Sequence, residues 1–344
     1  MNFASDNHYG GSAPILTAIA ATGTAPVAAY GDDPVTARVR ARLNEIFEKK
    51  VAAFPVINGT SANALILATL VPQHGAILCH AEAHIAADEC GAPEFFTHGA
   101  RLATIEGDDA KITPASIEKT LKHFQKGFVH NAQPFAVSLT QSTELGAVYT
   151  PAELRAIADV AHAHGMKLHV DGARFANALA GVGCTAAELS WKAGVDALSF
   201  GATKNGALAA EVAIFFNPDD AADFEFRRKK GGHLVSKMRF LSVQLEAYLA
   251  DDHWLANARR ANGLAQRLAA GLRDTGAVTI VHPVQANVVF ARMPEALAKK
   301  LRAAGVVFYD WGVPENGTVL GRLMLSFATP DEHVTRLIAL AAGQ

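Results

Sequence analysis

Three segments carry residues whose types and spacing could do chemistry. In LHVDGARFANAL, residues 168–179, an apolar strand delivers Asp171 to its C-terminal end, and Gly172 permits a sharp turn before Arg174. Ligands of open α/β sheets sit beyond the carboxyl ends of the strands, so an acid there is placed to meet a cofactor. Capping of the helix that follows is the alternative. Lys204 follows the apolar run 197–200 and precedes the flexible pair Asn205-Gly206. A lysine among Ala, Gly and Thr at a strand end is expected to be partly desolvated, which lowers its pKa as a Schiff-base lysine requires. The alternative is a loop lysine that merely snorkels to water. In VINGTSANALILATL, residues 56–70, a strand ends at Gly59-Thr60 and a helix starts near Ser61. Free backbone N–H groups, the helix dipole and the hydroxyls of Thr60 and Ser61 make a phosphate site there, although an ordinary N-cap would look the same. The segment matches neither GxGxxG nor GxxxxGK[ST], so dinucleotide and ATP readings lose support. An acid, a lysine and a phosphate cradle together describe pyridoxal phosphate held as a Schiff base.

The elements that must position these groups alternate. Short runs rich in β-branched and aromatic residues at 54–57, 136–139, 168–170, 197–200 and 212–216 are separated by helical patterns. That predicts an α/β fold with a mainly parallel sheet covered on both faces. One helix should begin after Thr150-Pro151, with Thr150 as N-cap and Glu153 near the positive end, and stop at Gly165. Beyond about residue 245 the pattern changes: an amphipathic helix over 254–272, strand-like runs at 278–281, 288–291 and 323–327, and helices at 294–304 and 331–342. The expectation is a large domain over 1–245, its N-terminal segment reaching the site, and a smaller C-terminal α+β domain over 246–344.

Composition narrows the function. With 31 Lys and Arg against 33 Asp and Glu in 344 residues the net charge is −2, and half the residues are hydrophobic, which excludes a disordered chain. Phosphate-backbone binding wants a cationic excess, so no nucleic-acid partner is expected. The exception is RRKK at 227–230 with Lys237 and Arg239 after it, a solvated helix face or a site for one small anion. The charge-free stretches 7–31 and 51–81 are broken by Pro, Gly, Asn or Thr every few residues, so no membrane span is expected. Cys79, Cys90 and Cys184 are an odd, widely spaced set, and a cytoplasmic protein with reduced thiols is the expectation. His162, His164, His169 and Asp171 could suggest a metal, but the first two fall at a helix end and the last two on one strand face, which would strain a single ligand shell. No metal is expected.

The chain resembles the low-specificity L-threonine aldolases, pyridoxal phosphate enzymes of fold type I, over most of its length. The matching stretches are SDN at 5–7, AYGDDP at 29–34, NGTSAN at 58–63, AEAHI at 81–85, HVDGAR at 169–174, TKNG at 203–206 and GRLMLSF at 321–327. The resemblance implies a fold type I large domain and retro-aldol cleavage of an L-β-hydroxy-α-amino acid to glycine and an aldehyde. It implies Lys204 as the Schiff-base lysine and Asp171 as the partner of the pyridine nitrogen. His84 would stack on the ring, and His84 or His130 would act on the β-hydroxyl. Ser5, Arg174 and Arg322 would hold the substrate carboxylate. Gly59, Thr60, Thr203 and a basic residue of 227–239, Lys230 or Lys237, of this or a neighbouring subunit, would bind the phosphate, and Arg174 also lies against the cofactor. A homo-oligomer, dimer or tetramer, with its site at a subunit interface is the implied assembly. Thr203 stands where many members carry Ser, and residues 138–151 differ from the Glu-Asn-Thr-His run of the threonine-preferring branch, resembling instead the branch that acts on phenylserine. The alternatives are a β-eliminating lyase with the same cofactor and a metal-dependent hydrolase.

Overall fold

Seven strands form the large sheet: β1 (Ala52–Val56), β2 (Gly75–His80), β3 (Arg101–Ile105), β4 (Gln133–Thr140), β5 (Lys167–Gly172), β6 (Ala197–Gly201) and β7 (Glu211–Phe215). Their order is β1-β7-β6-β5-β4-β2-β3. A computed structural model of the chain describes residues 1–343. The contacts among β3, β2, β4, β5 and β6 are parallel, whereas β7 runs against both its neighbours. The sheet is therefore mainly parallel, as expected, and the reversal of β7 brings its first residue, Glu211, to the edge where β1 and β6 end. Central strands β2, β6 and β7 are buried at every position, the pattern of strands covered on both faces.

Two of these strands, β2 and β3, are absent from the runs read from the sequence: Gly75–His80 has a single β-branched residue, and Arg101–Ile105 opens on a charge. The helix Gly59–Leu70 lies on one face, and Asn58 caps it by accepting from the Ser61 amide at 2.9 Å. Helix Pro151–Ala163 on the other face starts as expected: Thr150 and Glu153 form a reciprocal capping box. On that face Phe47, Phe175, Phe200, Phe216, Tyr248 and Trp254 pack into the main core with mostly tilted and edge-on contacts.

A second sheet, β10-β11-β9-β8, is antiparallel and consists of β8 (Thr279–Ile280), β9 (Val288–Pro294), β10 (Tyr309–Asp310) and β11 (Thr318–Met324). Its core is formed with helices Glu295–Ala303 and Asp331–Ala341 and the second half of the helix His253–Asp274. Strand β11 begins five residues before the expected run because Thr318, Gly321 and Arg322 interrupt its apolar pattern. Phe3 packs in this second core, its N–H bonding to the Val307 carbonyl and its carbonyl accepting from Met324 N–H. The next residues, Ser5 to Asn7, cross from there to the ends of the large sheet. Among the described residues no helix is long and apolar enough to cross a membrane.

Candidate active site

A cavity of about 300 Å³ opens at the carboxyl ends of β4, β5 and β6. It is lined by the cap residues Asn58, Gly59 and Thr60, by Asn63, His84 and Glu89, by Glu144 from the loop after β4, by Asp171 and Arg174, by Thr203 and Lys204, and by Glu211. Glycine lets the strand ends converge: a Cβ on Gly201 would lie 2.5 Å from the Ala173 carbonyl oxygen.

Asp171 is 3% exposed and fully engaged. Its Oδ2 accepts from Asn63 Nδ2 at 2.7 Å and its Oδ1 from the Ala173 amide at 3.0 Å. Asn63 donates its second amide hydrogen to Glu89 Oε1 at 2.8 Å, and that oxygen also pairs with His84 Nδ1 at 2.8 Å. The hydrogen bond to Glu89 raises the His84 pKa. Behind Asp171 on the same strand face, His169 is buried between Ser138 Oγ (2.9 Å) and Ser199 Oγ (3.1 Å), and burial depresses it to about 4. It serves as a neutral spacer. His162 and His164 point elsewhere, to Asp196 and Glu118.

Lys204 sits on a short turn held from below. Glu211 accepts from the amides of Ala202 (3.2 Å) and Thr203 (3.3 Å), and Thr203 Oγ1 accepts from the Ala210 amide at 3.2 Å. Burial pushes the Glu211 carboxyl up to about 7. Across the cavity mouth, Asn58 satisfies the Ser61 amide, so the Gly59 and Thr60 amides are the donors left at this helix N-terminus.

The opposite wall is cationic. Arg174 is clamped by Asp6 through Nε (2.8 Å) and Nη2 (2.9 Å), and Asn287 Nδ2 steadies Asp6 at 3.1 Å. Nη1 of Arg174 remains available. Arg322 stacks on Trp311, its Nε is buried without a partner, and burial together with the nearby Arg174 lowers its pKa. Two close guanidiniums with unused donors fit one carboxylate. Ser5 caps the turn Asp6–His8, its Oγ accepting from the Asn7 amide, and Asn7 rather than Ser5 lines the cavity.

Of the residues expected at the site, Lys204, Asp171, His84, Gly59, Thr60, Thr203 and Arg174 line one cavity, and Arg322 lies beside it. His130 does not join them. It is exposed, packs on Phe128 and borders a separate surface hollow with Arg101 and His123, because the chain between β3 and β4 passes under the opposite end of the sheet. Lys230 and Lys237 are also exposed and line no part of the cavity; in their segment the inward cation is Arg228, which packs on Phe54 and donates to the Pro55 carbonyl. Asp6, Asn63, Glu89, Glu144 and Glu211 were not singled out from the sequence. Glu211 carries a signal, a charged residue opening an otherwise apolar strand, while Asn63 lies within NGTSAN, Asp6 within SDN and Glu144 within the 138–151 run. Asp6 and Glu89 reach the site only through tertiary packing.

The protein family whose model matches residues 2–311 is described as the beta-eliminating lyases. The low specificity L-threonine aldolase of Pseudomonas aeruginosa strain PAO1 is 44% identical over 97% of this chain and 95% of its own length. That of Pseudomonas sp. strain NCIMB 10558 is 42% identical over 98% and 96%. The threonine aldolase of Leishmania major superposes with a TM-score of 0.94 at 26% identity, covering 99% of this chain and 98% of that one. Agreement of this extent in sequence and in backbone places the chain in the low-specificity L-threonine aldolase family, among the beta-eliminating lyases.

Proposed function

We propose that the cavity cleaves L-β-hydroxy-α-amino acids, L-threonine and its allo and β-aryl relatives, to glycine and an aldehyde. The observation that carries this reading is the placing of a buried carboxylate, a lysine and a pair of guanidiniums around one small cavity. Pyridoxal phosphate, bound there, supplies an electron sink for the pair left at Cα when the Cα–Cβ bond breaks. Asp171, fixed by Asn63 and the Ala173 amide, is the acceptor that keeps a proton on a ring nitrogen. Lys204 is the amine that would hold the cofactor covalently. The Gly59 and Thr60 amides at a helix N-terminus hold the phosphate. Arg174 and Arg322 grip the substrate carboxylate, and their fixed positions orient the bond to be broken. His84, its Nδ1 tied to Glu89, would lie against the cofactor.

Of the titratable groups that line the cavity, Glu89 and Glu211 are engaged with His84 and with the Lys204 turn, which leaves His84 and Glu144 as the candidates to take the β-hydroxyl proton. The assembly is a homo-oligomer in which a neighbouring subunit adds to the phosphate site. Supporting that reading, neither Lys230 nor Lys237 reaches its own chain's cradle. The test of the reaction is product analysis of the cofactor-loaded protein across L-threonine, L-allo-threonine and L-phenylserine. Equimolar glycine and aldehyde are expected, with the β-aryl substrate preferred. Release of ammonia and a keto acid in place of glycine would establish β-elimination and refute the aldolase reading.

A further inference from the structure

We infer that Glu144 is a catalytic residue, the carboxylate that takes the β-hydroxyl proton of the substrate. The inference rests on the aldolase reading and assigns a step that reading leaves open. Glu144 lies in the loop that follows β4, and that loop is braced on both sides of it. Gln141 spans the loop, its Nε2 donating to the Tyr149 carbonyl at 2.8 Å and its Oε1 accepting from the Tyr149 amide at 2.9 Å. Thr143 bonds through its hydroxyl to the Asp109 carbonyl at 2.8 Å and through its amide to the Ala147 carbonyl at 2.8 Å. A backbone tied this firmly presents its side chain in one place, yet the Glu144 carboxylate has no hydrogen bond and no ion pair with any described residue.

The groups facing it come from every wall: Arg174 and Asp171 at the end of β5, Lys204 beyond β6, His84 beyond β2, and Arg322 on β11. Glu144 therefore lines the same cavity as the guanidinium that would hold the substrate carboxylate and the lysine that would meet its amine, where the rest of the substrate must lie. Burial raises its proton affinity above that of a free glutamate, which suits a group that must accept a proton and give it back. His84 already has its Nδ1 engaged by Glu89, whereas the Glu144 carboxylate has no partner in the protein.

In the step, the hydroxyl proton passes to Glu144, the O–H pair becomes the second C=O bond of the aldehyde, and the Cα–Cβ pair remains at Cα. Glycine then gains one proton at Cα, matching the one Glu144 returns to solvent.

The experiment compares Glu144→Gln with the wild-type holoenzyme in three measurements: kcat for cleavage, exchange of the glycine Cα hydrogen in deuterium oxide, and thermal melting. Glycine has no β-hydroxyl, so exchange needs the cofactor, Lys204 and the arginines but not Glu144. Cleavage should fall by about 10²- to 10⁴-fold, while exchange stays within about threefold and the melting temperature does not drop. Cleavage kept within about fivefold would overturn the assignment, as would a loss of exchange equal to the loss of cleavage. A wild-type enzyme that exchanges glycine but cleaves no β-hydroxy amino acid would overturn the aldolase reading instead.

Discussion

The two walls of the cavity differ in how their polar groups are satisfied. On the wall formed by Asp171, Asn63, Glu89, His84, Thr203 and Glu211, each charged group is tied to a partner within the protein, although Asn63 Oδ1 and Glu89 Oε2 are buried without one. On the wall formed by Arg174, Arg322 and Glu144, half a guanidinium, a buried Nε and a whole carboxylate have none. A wall whose charged groups are tied to one another is prepared for a group that stays; a wall with charged groups held open is prepared for one that comes and goes. Burying charge without partners costs stability, so the second wall keeps its shape only because Asp6, Asn287, Trp311 and the braced loop hold it.

Four measurements would break or sharpen that contrast. The largest effect is expected from Lys204→Ala, which should remove the absorbance band of the covalently bound cofactor and all cleavage; retained activity would dissolve the assignment of the first wall. Arg322→Ala should act on the second wall alone. Loss of one charge-assisted contact raises KM by about 10- to 100-fold and leaves kcat within about threefold, and an unchanged KM would take Arg322 out of the carboxylate grip. Glu89→Gln removes the partner that raises His84, so the titration of the His84 ring, followed by NMR, should move to lower pH, toward the ordinary histidine value of about 6.5. A titration that stays in place would mean that Glu89 does not set this proton.

The smallest effect is on stability. Glu211 titrates at about 7 in the folded protein and at about 4.3 in an unfolded chain. Its folded value is raised, so its contribution to stability is complete below about pH 4.3 and is lost as pH climbs through about 7. Glu211→Gln keeps an acceptor for the Ala202 and Thr203 amides but cannot titrate. Its melting temperature should therefore fall less than that of the wild type between pH 5 and pH 8, by a few degrees, and parallel curves would refute the shift.

What the sequence made legible follows the same division. Asp171, Lys204 and the Gly59-Thr60 turn are readable because each is local, one residue type at one strand or helix end. The helix at Pro151–Ala163 and the long helix at His253–Asp274 are readable because cap and periodicity agree. His130 was misplaced because distance along the chain before a strand says nothing about which end of the sheet the residue occupies. Strand β2 was missed because Gly75–His80 is a short apolar run without β-branched residues other than Ile77, which periodicity cannot tell from helix. Glu89 reaches His84 around a turn that no repeat pattern marks, and Asp6 reaches Arg174 only once both sheets are in place.

The Asp6 clamp bears on the order in which the molecule is made. Arg174 is aligned by a residue 168 positions earlier in the chain, which is itself steadied by Asn287, 281 positions after it. The groups of the first wall lie between residues 58 and 211, so a growing chain has all of them before the C-terminal sheet exists. Closing the longer loops costs more entropy and comes later. Recognition of the amino acid thus depends on both sheets having come together, whereas the groups that would hold the cofactor are set by the large sheet and its helices.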